Sequence, residues 1–113
     1  MNKIPEISWN DFIKVEIRTG TIISAETFKE ASKPAHKLRI DFGPSGIKKS
    51  SAQLTKLYNA EELIGKQVIA VLNFPVKQIA NFFSECLVLG SVDGDVVTLL
   101  TTDGKVENGL RIG

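Results

Sequence analysis

The chain has 113 residues, 42% apolar and 24% charged, the composition of one globular domain (1–113) that buries about two-thirds of its unfolded surface in one core. No apolar run approaches the roughly 20 residues of a bilayer crossing, and MNKIPEISWN carries no export signal, so a cytoplasmic protein is expected. A lone cysteine, Cys86 in the apolar run SECLVLG, excludes a disulfide framework and a cysteine zinc site and reads as a small buried hydrophobe. The formal net charge of +1 conceals an asymmetry. Within residues 29–56, Lys29, Lys33, Lys37, Arg39, Lys48, Lys49 and Lys56 face two acids, Glu30 and Asp41. Glu85, Asp93, Asp95, Asp103 and Glu107 face Lys105 near the end of the chain. Such polarity lets one side of a near-neutral molecule attract a polyanion.

In chain order, Ser8 followed by Asp11 predicts a capped helical turn. Alternation from Val15 to Ile23 predicts a long strand, with Gly20 as a bulge or sharp bend. KEASKPAH is a polar loop broken by Pro34. In HKLRIDFG, Leu38, Ile40 and Phe42 point inward while Lys37, Arg39 and Asp41 point outward. The turn GPSG makes the next strand, GIKKSSAQL, a hairpin partner. Ser50, Ala52 and Leu54 share its inner face, which puts Lys49, Ser51 and Gln53 beside Lys37 and Arg39. Asn59, Glu61, Glu62 and Gly65 predict one or two helical turns with a cap and a stop. QVIAVLNF is an apolar strand, PVKQIANFF an irregular loop, and SECLVLGSV and DVVTLLT are strands around the turn DGD. A polar turn and a tail with apolar Val106, Leu110 and Ile112 close the chain.

This order predicts an all-β fold: a five-stranded OB barrel with a short helix between strands three and four. OB barrels bind ligands on the face of strands two and three, between the 1–2 and 4–5 loops. Those places hold Lys29 and Lys33, Lys37 and Arg39, Lys49, and Lys77.

No constellation for catalysis is present in the sequence. His36 is the single histidine, which rules out a histidine pair or histidine-based metal site. A solvated loop histidine is the default reading, and its lysine neighbours also permit base stacking or a phosphate contact. Ser50 and Ser51 have no sequence-local base, Glu61–Glu62 suits a helix start, and GPSG meets no phosphate-loop spacing. A non-enzyme without cofactor or metal is expected. Phe82 and Phe83 are neighbours on an extended chain and so point to opposite sides. One of them is free to stack on a base, hold a peptide or pack in a subunit contact, unless both cover the barrel end.

The segments DFIKVEIRTGTI, KPAHKLRIDFG, GIKKSSAQLTKLY, EELIGKQVIAVLNFPVKQIANF, SECLVLG and NGLRIG together resemble the CsaA-type secretion chaperones of the bacterial tRNA-binding domain family. The resemblance runs from about Phe12 to Gly113. It implies an OB barrel that dimerises through N- and C-terminal additions, tRNA recognised by shape, and a chaperone or export-related role. The matching polar positions are Lys33, Lys37, Lys48, Lys49, Ser50, Ser51 and Gln53, then Lys56, Asn73, Lys77, Gln78, Ser84 and Glu85. The chain departs from the pattern at Val76, Asn81 and Phe83, where proline, glycine and arginine are common. The change at Phe83 shifts the loop toward an apolar ligand.

Three functions compete. A structured-RNA binder would use the basic face for phosphates, with His36 and Arg39 joining the positions above. A peptide-binding chaperone would use an apolar groove near Phe74, Ile79, Phe82 and Phe83. A purely structural subunit leaves the lysine grouping unexplained. Salt separates the first two, because phosphate contacts weaken steeply with salt and apolar contacts do not. A homodimer is expected through Ile4, Ile7 and Trp9 before the barrel and Val106, Leu110 and Ile112 after it. The expected partners are tRNA or another structured RNA, and unfolded or exported polypeptides in the chaperone reading, with no membrane insertion.

Overall fold

The computed structural model describes residues 3–113. Helix α1 (Trp9–Ile13) begins with a reciprocal capping box: the Asp11 amide donates to Ser8 Oγ at 3.0 Å, and the Ser8 amide donates to Asp11 Oδ2 at 3.1 Å. The strands are β1 (Ile17–Thr27), β2 (His36–Asp41), β3 (Ile47–Ala52), β4 (Gln67–Val71), β5 (Lys77–Ile79), β6 (Phe82–Ser84), β7 (Leu87–Val88), β8 (Gly90–Asp93) and β9 (Val96–Leu99). Helix α2 (Ala60–Leu63) lies between β3 and β4 and is capped by Asn59 and Glu62 in the same reciprocal way. Five strands form an antiparallel sheet in the order β3-β2-β1-β4-β7. Contacts of β3 with β6 and β7 bring its two edges together into a nearly closed OB barrel.

The inward positions of β1, β2 and β4 fill the barrel. Ile22, Leu38, Ile40, Phe42 and Val68 are fully buried, and α2 contributes Leu63. The alternation predicted for β2 is therefore observed.

Two expectations change. Gly20 is not a bulge: β1 pairs with β4 without interruption from Ile17 to Thr21, with Gly20 opposite Val68. A Cβ at Gly20 would lie 2.6 Å from the Phe42 ring and 2.8 Å from Ile40 Cγ2, so the glycine makes room for the core. The irregularity falls between Ile22 and Ser24, where β1 turns from β4 toward β2. Segment 75–83 is not an irregular loop either. β5 and β6 form a hairpin with a two-residue turn at Ala80–Asn81. Ala80 takes a left-handed φ of +52°, and Gln78 Nε2 donates to its carbonyl at 3.1 Å. The turn lacks the glycine that makes such hairpins legible in a sequence.

The C-terminal tail lies against β1. Gly109 N donates to Thr19 O at 2.7 Å, Thr19 N to Leu110 O at 3.0 Å, and Ile112 N to Ile17 O at 2.9 Å. The buried Thr19 hydroxyl fixes the tail further, donating to Glu107 O at 2.8 Å and accepting from Leu110 N at 3.1 Å.

Gly20→Ala forces a methyl into the Phe42 ring. It is expected to cost about 1–3 kcal/mol, the range for an overfilled core. Urea unfolding measures this, and an unchanged midpoint would show that the ring moves aside freely.

Candidate nucleic-acid interface

The hairpin register of β2 and β3 sets the geometry of the outer face. Arg39 stands opposite Lys49, and Lys37 opposite Ser51. Such pairs hold their Cβ atoms about 5 Å apart. Ser50 and Ala52 are buried, so Lys49 and Ser51 share the outer face with Lys37 and Arg39, as the parity predicted.

Aromatic rings lie beneath these cations. Lys37 Nζ is 5.3 Å from the Phe28 ring centre and 5.9 Å from that of Phe82. Lys49 Nζ is 5.3 Å from Phe82 and 5.8 Å from Phe83. Phe28 and Phe82 meet edge to face at 5.4 Å. Each ammonium is thus held near the negative face of a ring. Lys37 also pairs with Glu26 Oε1 at 3.1 Å. Sequence reasoning does not single out Phe28 or Glu26. Their cue is position: Glu26 stands opposite Lys37 near the end of β1, and Phe28 follows β1 directly, its amide donating to Ala35 O at 3.0 Å.

The free edge of β3 is closed by residues 84–86. Ser51 N donates to Ser84 Oγ at 3.1 Å, and Lys49 N donates to Glu85 Oε1 at 2.9 Å. In return, Glu85 N donates to Lys49 O at 2.8 Å, and the buried Ser50 hydroxyl donates to Cys86 O at 2.9 Å. Ser84 and Glu85, expected as RNA contacts, therefore spend these oxygens on the barrel seam. Burial pushes the Cys86 thiol up to about 11, so it is neutral at physiological pH.

Other candidates are displaced. His36 is not a solvated loop histidine: it is 4% exposed, and its Nε2 lies 2.8 Å from Tyr58 O, which makes Nε2 the protonated nitrogen. It cannot reach a phosphate from there. Asn73 is occupied as well, accepting from Glu16 N at 2.9 Å and donating to Lys14 O at 2.6 Å. Lys48 alternates away from Lys49, opposite the buried Ile40. Lys56 pairs with Asp95 in the β8–β9 turn at 3.5 Å. Gln78 holds the β5–β6 turn. Lys33 is exposed in the β1–β2 loop.

Beside this face runs a groove of about 540 Å³. Phe74, Ile79, Leu87, Val88 and Val97 give it apolar walls, and Ser51, Gln53, Lys77, Ser84 and Glu85 also line it. Phe74 and Ile79 thus lie where the peptide reading placed them. Phe82 lies instead under Lys37 and Lys49, and Phe83 is not among the groove residues. Of the expected dimer contacts, Ile4, Ile7, Trp9 and Leu110 are exposed, while Val106 and Ile112 are half-buried against the barrel.

The family described as "Putative tRNA binding domain" matches residues 17–111. The chain belongs to the tRNA-binding domain family. Within it, this tRNA-binding domain superposes on solved structures of CsaA chaperones. One from Picrophilus torridus is 57% identical, with a TM-score of 0.89 over 96% of this chain and 100% of that one. One from Bacillus anthracis is 49% identical, with a TM-score of 0.92 and the same coverage. A methionine–tRNA ligase of Bacillus anthracis is 34% identical over 110 residues, 97% of this chain. The tRNA-binding domain spans 16% of that ligase's length. Among the described residues, no helix is long and apolar enough to cross a membrane.

Ser50→Ala leaves the buried Cys86 carbonyl without its donor and is expected to cost about 1–3 kcal/mol. Ser51→Ala keeps the backbone donor of the seam and is expected to stay within about 0.5 kcal/mol. Paired urea titrations check the contrast, and equal losses would mean that both hydroxyls are part of the seam.

Proposed function

We propose that this protein is a non-catalytic homodimer that binds tRNA or a similarly folded RNA through phosphate and shape contacts. The observation that carries the reading is the convergence of Lys37, Arg39 and Lys49 on the outer face of β2 and β3. Lys33 in the β1–β2 loop and Lys77 on β5 extend the positive surface. Phosphate binding there releases counterions, and the hydroxyl of Ser51 and the amide of Gln53 suit ribose 2′-hydroxyls. Membership of the tRNA-binding domain family supports the same reading.

A salt titration tests it. With about four phosphates met on each subunit and both subunits engaged, the logarithmic slope for tRNA is several units, at roughly 0.7 to 0.9 per contact. Lys49→Glu lowers both affinity and slope. It should fold, since the backbone of Lys49, not its side chain, makes the seam. Duplex DNA binds less well, lacking the 2′-hydroxyls and the A-form shape. A slope near zero, or equal affinity for both nucleic acids, removes the RNA reading.

The second reading, a chaperone for unfolded or exported polypeptides, is favoured by the apolar groove and by the CsaA likeness. Its binding would persist in salt.

The dimer is supported by Ile4, Ile7 and Trp9, which are 85%, 69% and 67% exposed. A two-fold contact that buries them together with Leu110 is the simplest way to remove them from water. Sedimentation at tens of micromolar, a roughly chosen range for ordinary dimers, is expected to give twice the 12.4 kDa chain mass. A single 12.4 kDa species refutes the dimer.

A further inference from the structure

Phe82 and Phe83 adjoin in sequence and differ in fate. Phe82 is spent within the molecule, between the edge of Phe28 and the ammonium groups of Lys37 and Lys49. Phe83 is 46% exposed, and the cation near it is Lys49, 5.8 Å from its ring centre. We infer that Phe83 is a stacking platform for one unpaired RNA base, with Lys49 placed to neutralise the adjoining phosphate. This deepens the RNA-binding reading and rests on it.

Three observations carry the inference. The platform is rigid: β6 pairs with β5 across a two-residue turn, the turn is fixed by the bond from Gln78 to Ala80, and Ser84 ties β6 to β3 through Ser51 N. A ring held in place before binding loses little freedom when a base stacks on it. The charge is complementary: the Lys49 ammonium lies 5.8 Å from the Phe83 ring centre, so a nucleotide on Phe83 has a cation beside its sugar–phosphate chain, and Arg39 stands one strand further on, opposite Lys49. The groove does not claim the ring, because its apolar walls come from other residues, including Phe74 and Ile79.

The chemistry sets the ligand class. In a duplex each base face is covered by its neighbours, so a fixed phenyl ring has nothing to stack on. A loop, bulge or single-stranded overhang offers an unpaired base that can turn its open face to the ring, and every base has one. Phe83 thus makes the site prefer RNA with an unpaired nucleotide, with little preference for which base it is.

The test uses an RNA hairpin with 2-aminopurine in its loop and a blunt RNA duplex with the same number of phosphates, at matched salt. The proteins are the parent, Phe83→Leu, Phe83→Trp and Lys49→Glu, each first checked by thermal melting. With the parent and Phe83→Trp, stacking quenches the 2-aminopurine. With Phe83→Leu the quench is lost and hairpin affinity falls by at least about fivefold, the lower end for one base–aromatic stack. Duplex affinity then moves by less than about twofold, and the salt slope is kept because no phosphate contact is removed. Equal weakening of hairpin and duplex by Phe83→Leu overturns the platform. So does no weakening by Phe83→Leu while Lys49→Glu weakens both RNAs, and in that case the RNA reading survives. If Lys49→Glu changes neither, the RNA reading fails and the platform with it.

Discussion

The structure depends on how the free edge of β3 is closed. A short barrel strand with unpaired amides and carbonyls is a site for unwanted pairing. Among the described residues, no full strand pairs with it on that side. Residues 84–86 supply the partners, using the Ser84 hydroxyl, the Glu85 carboxylate, the Glu85 amide and the Cys86 carbonyl. Side chains can be placed one at a time, so they close an edge whose curvature would not suit a regular ladder. On β3 the closure uses backbone groups of Lys49 and Ser51 and one small polar side chain, the Ser50 hydroxyl, where a core alone would take an apolar residue.

This arrangement separates the tasks of one residue. The amide and carbonyl of Lys49 belong to the seam, while its ammonium lies over Phe82 and Phe83 on the outer face. Scaffold and proposed RNA contact therefore meet in the same residue without sharing atoms. The seam also borders the groove, since Ser51, Ser84 and Glu85 line it. The proposed RNA face and the apolar groove thus border the same closure, with Ser51 common to both.

Much of this was legible in the sequence because β2 and β3 alternate cleanly. Period-two spacing placed Leu38 and Ile40 inside and Lys37, Arg39 and Lys49 outside, and capping residues marked both helices. What escaped has a common cause. A polar side chain looks the same in a sequence whether it meets solvent, a ligand or the chain's own backbone. Asn73, Glu85 and Ser84 therefore resembled ligand contacts while bonding to Lys14, Glu16, Lys49 and Ser51. His36 escaped because Pro34 and the polar loop before it suggested solvent, whereas it begins a strand with its ring against Tyr58 O. Gly20 suggested a bend, but its missing Cβ is needed by Phe42, a residue distant in sequence.

The charge pattern resolves in the same way. Contrary to a simple division of the chain into basic and acidic halves, Lys56 of the basic segment is paired with Asp95 of the acidic one. What remains is local. Exposed charges lose most of their reach beyond about 10 Å at 0.1 M salt. Lys37, Arg39 and Lys49 stand on adjacent strands, with Arg39 and Lys49 in direct register, so their fields add within that range. The acids Asp93 and Asp95 lie on the β8–β9 hairpin, and Asp103 and Glu107 on the segment leading to the tail along β1. None of these elements pairs with β2 or β3. A formal charge of +1 is therefore compatible with a local cluster of Lys37, Arg39 and Lys49, in which Glu26 already partners Lys37 and Glu85 bonds the Lys49 amide, so in the proposed RNA reading a phosphate competes with Glu26 for Lys37.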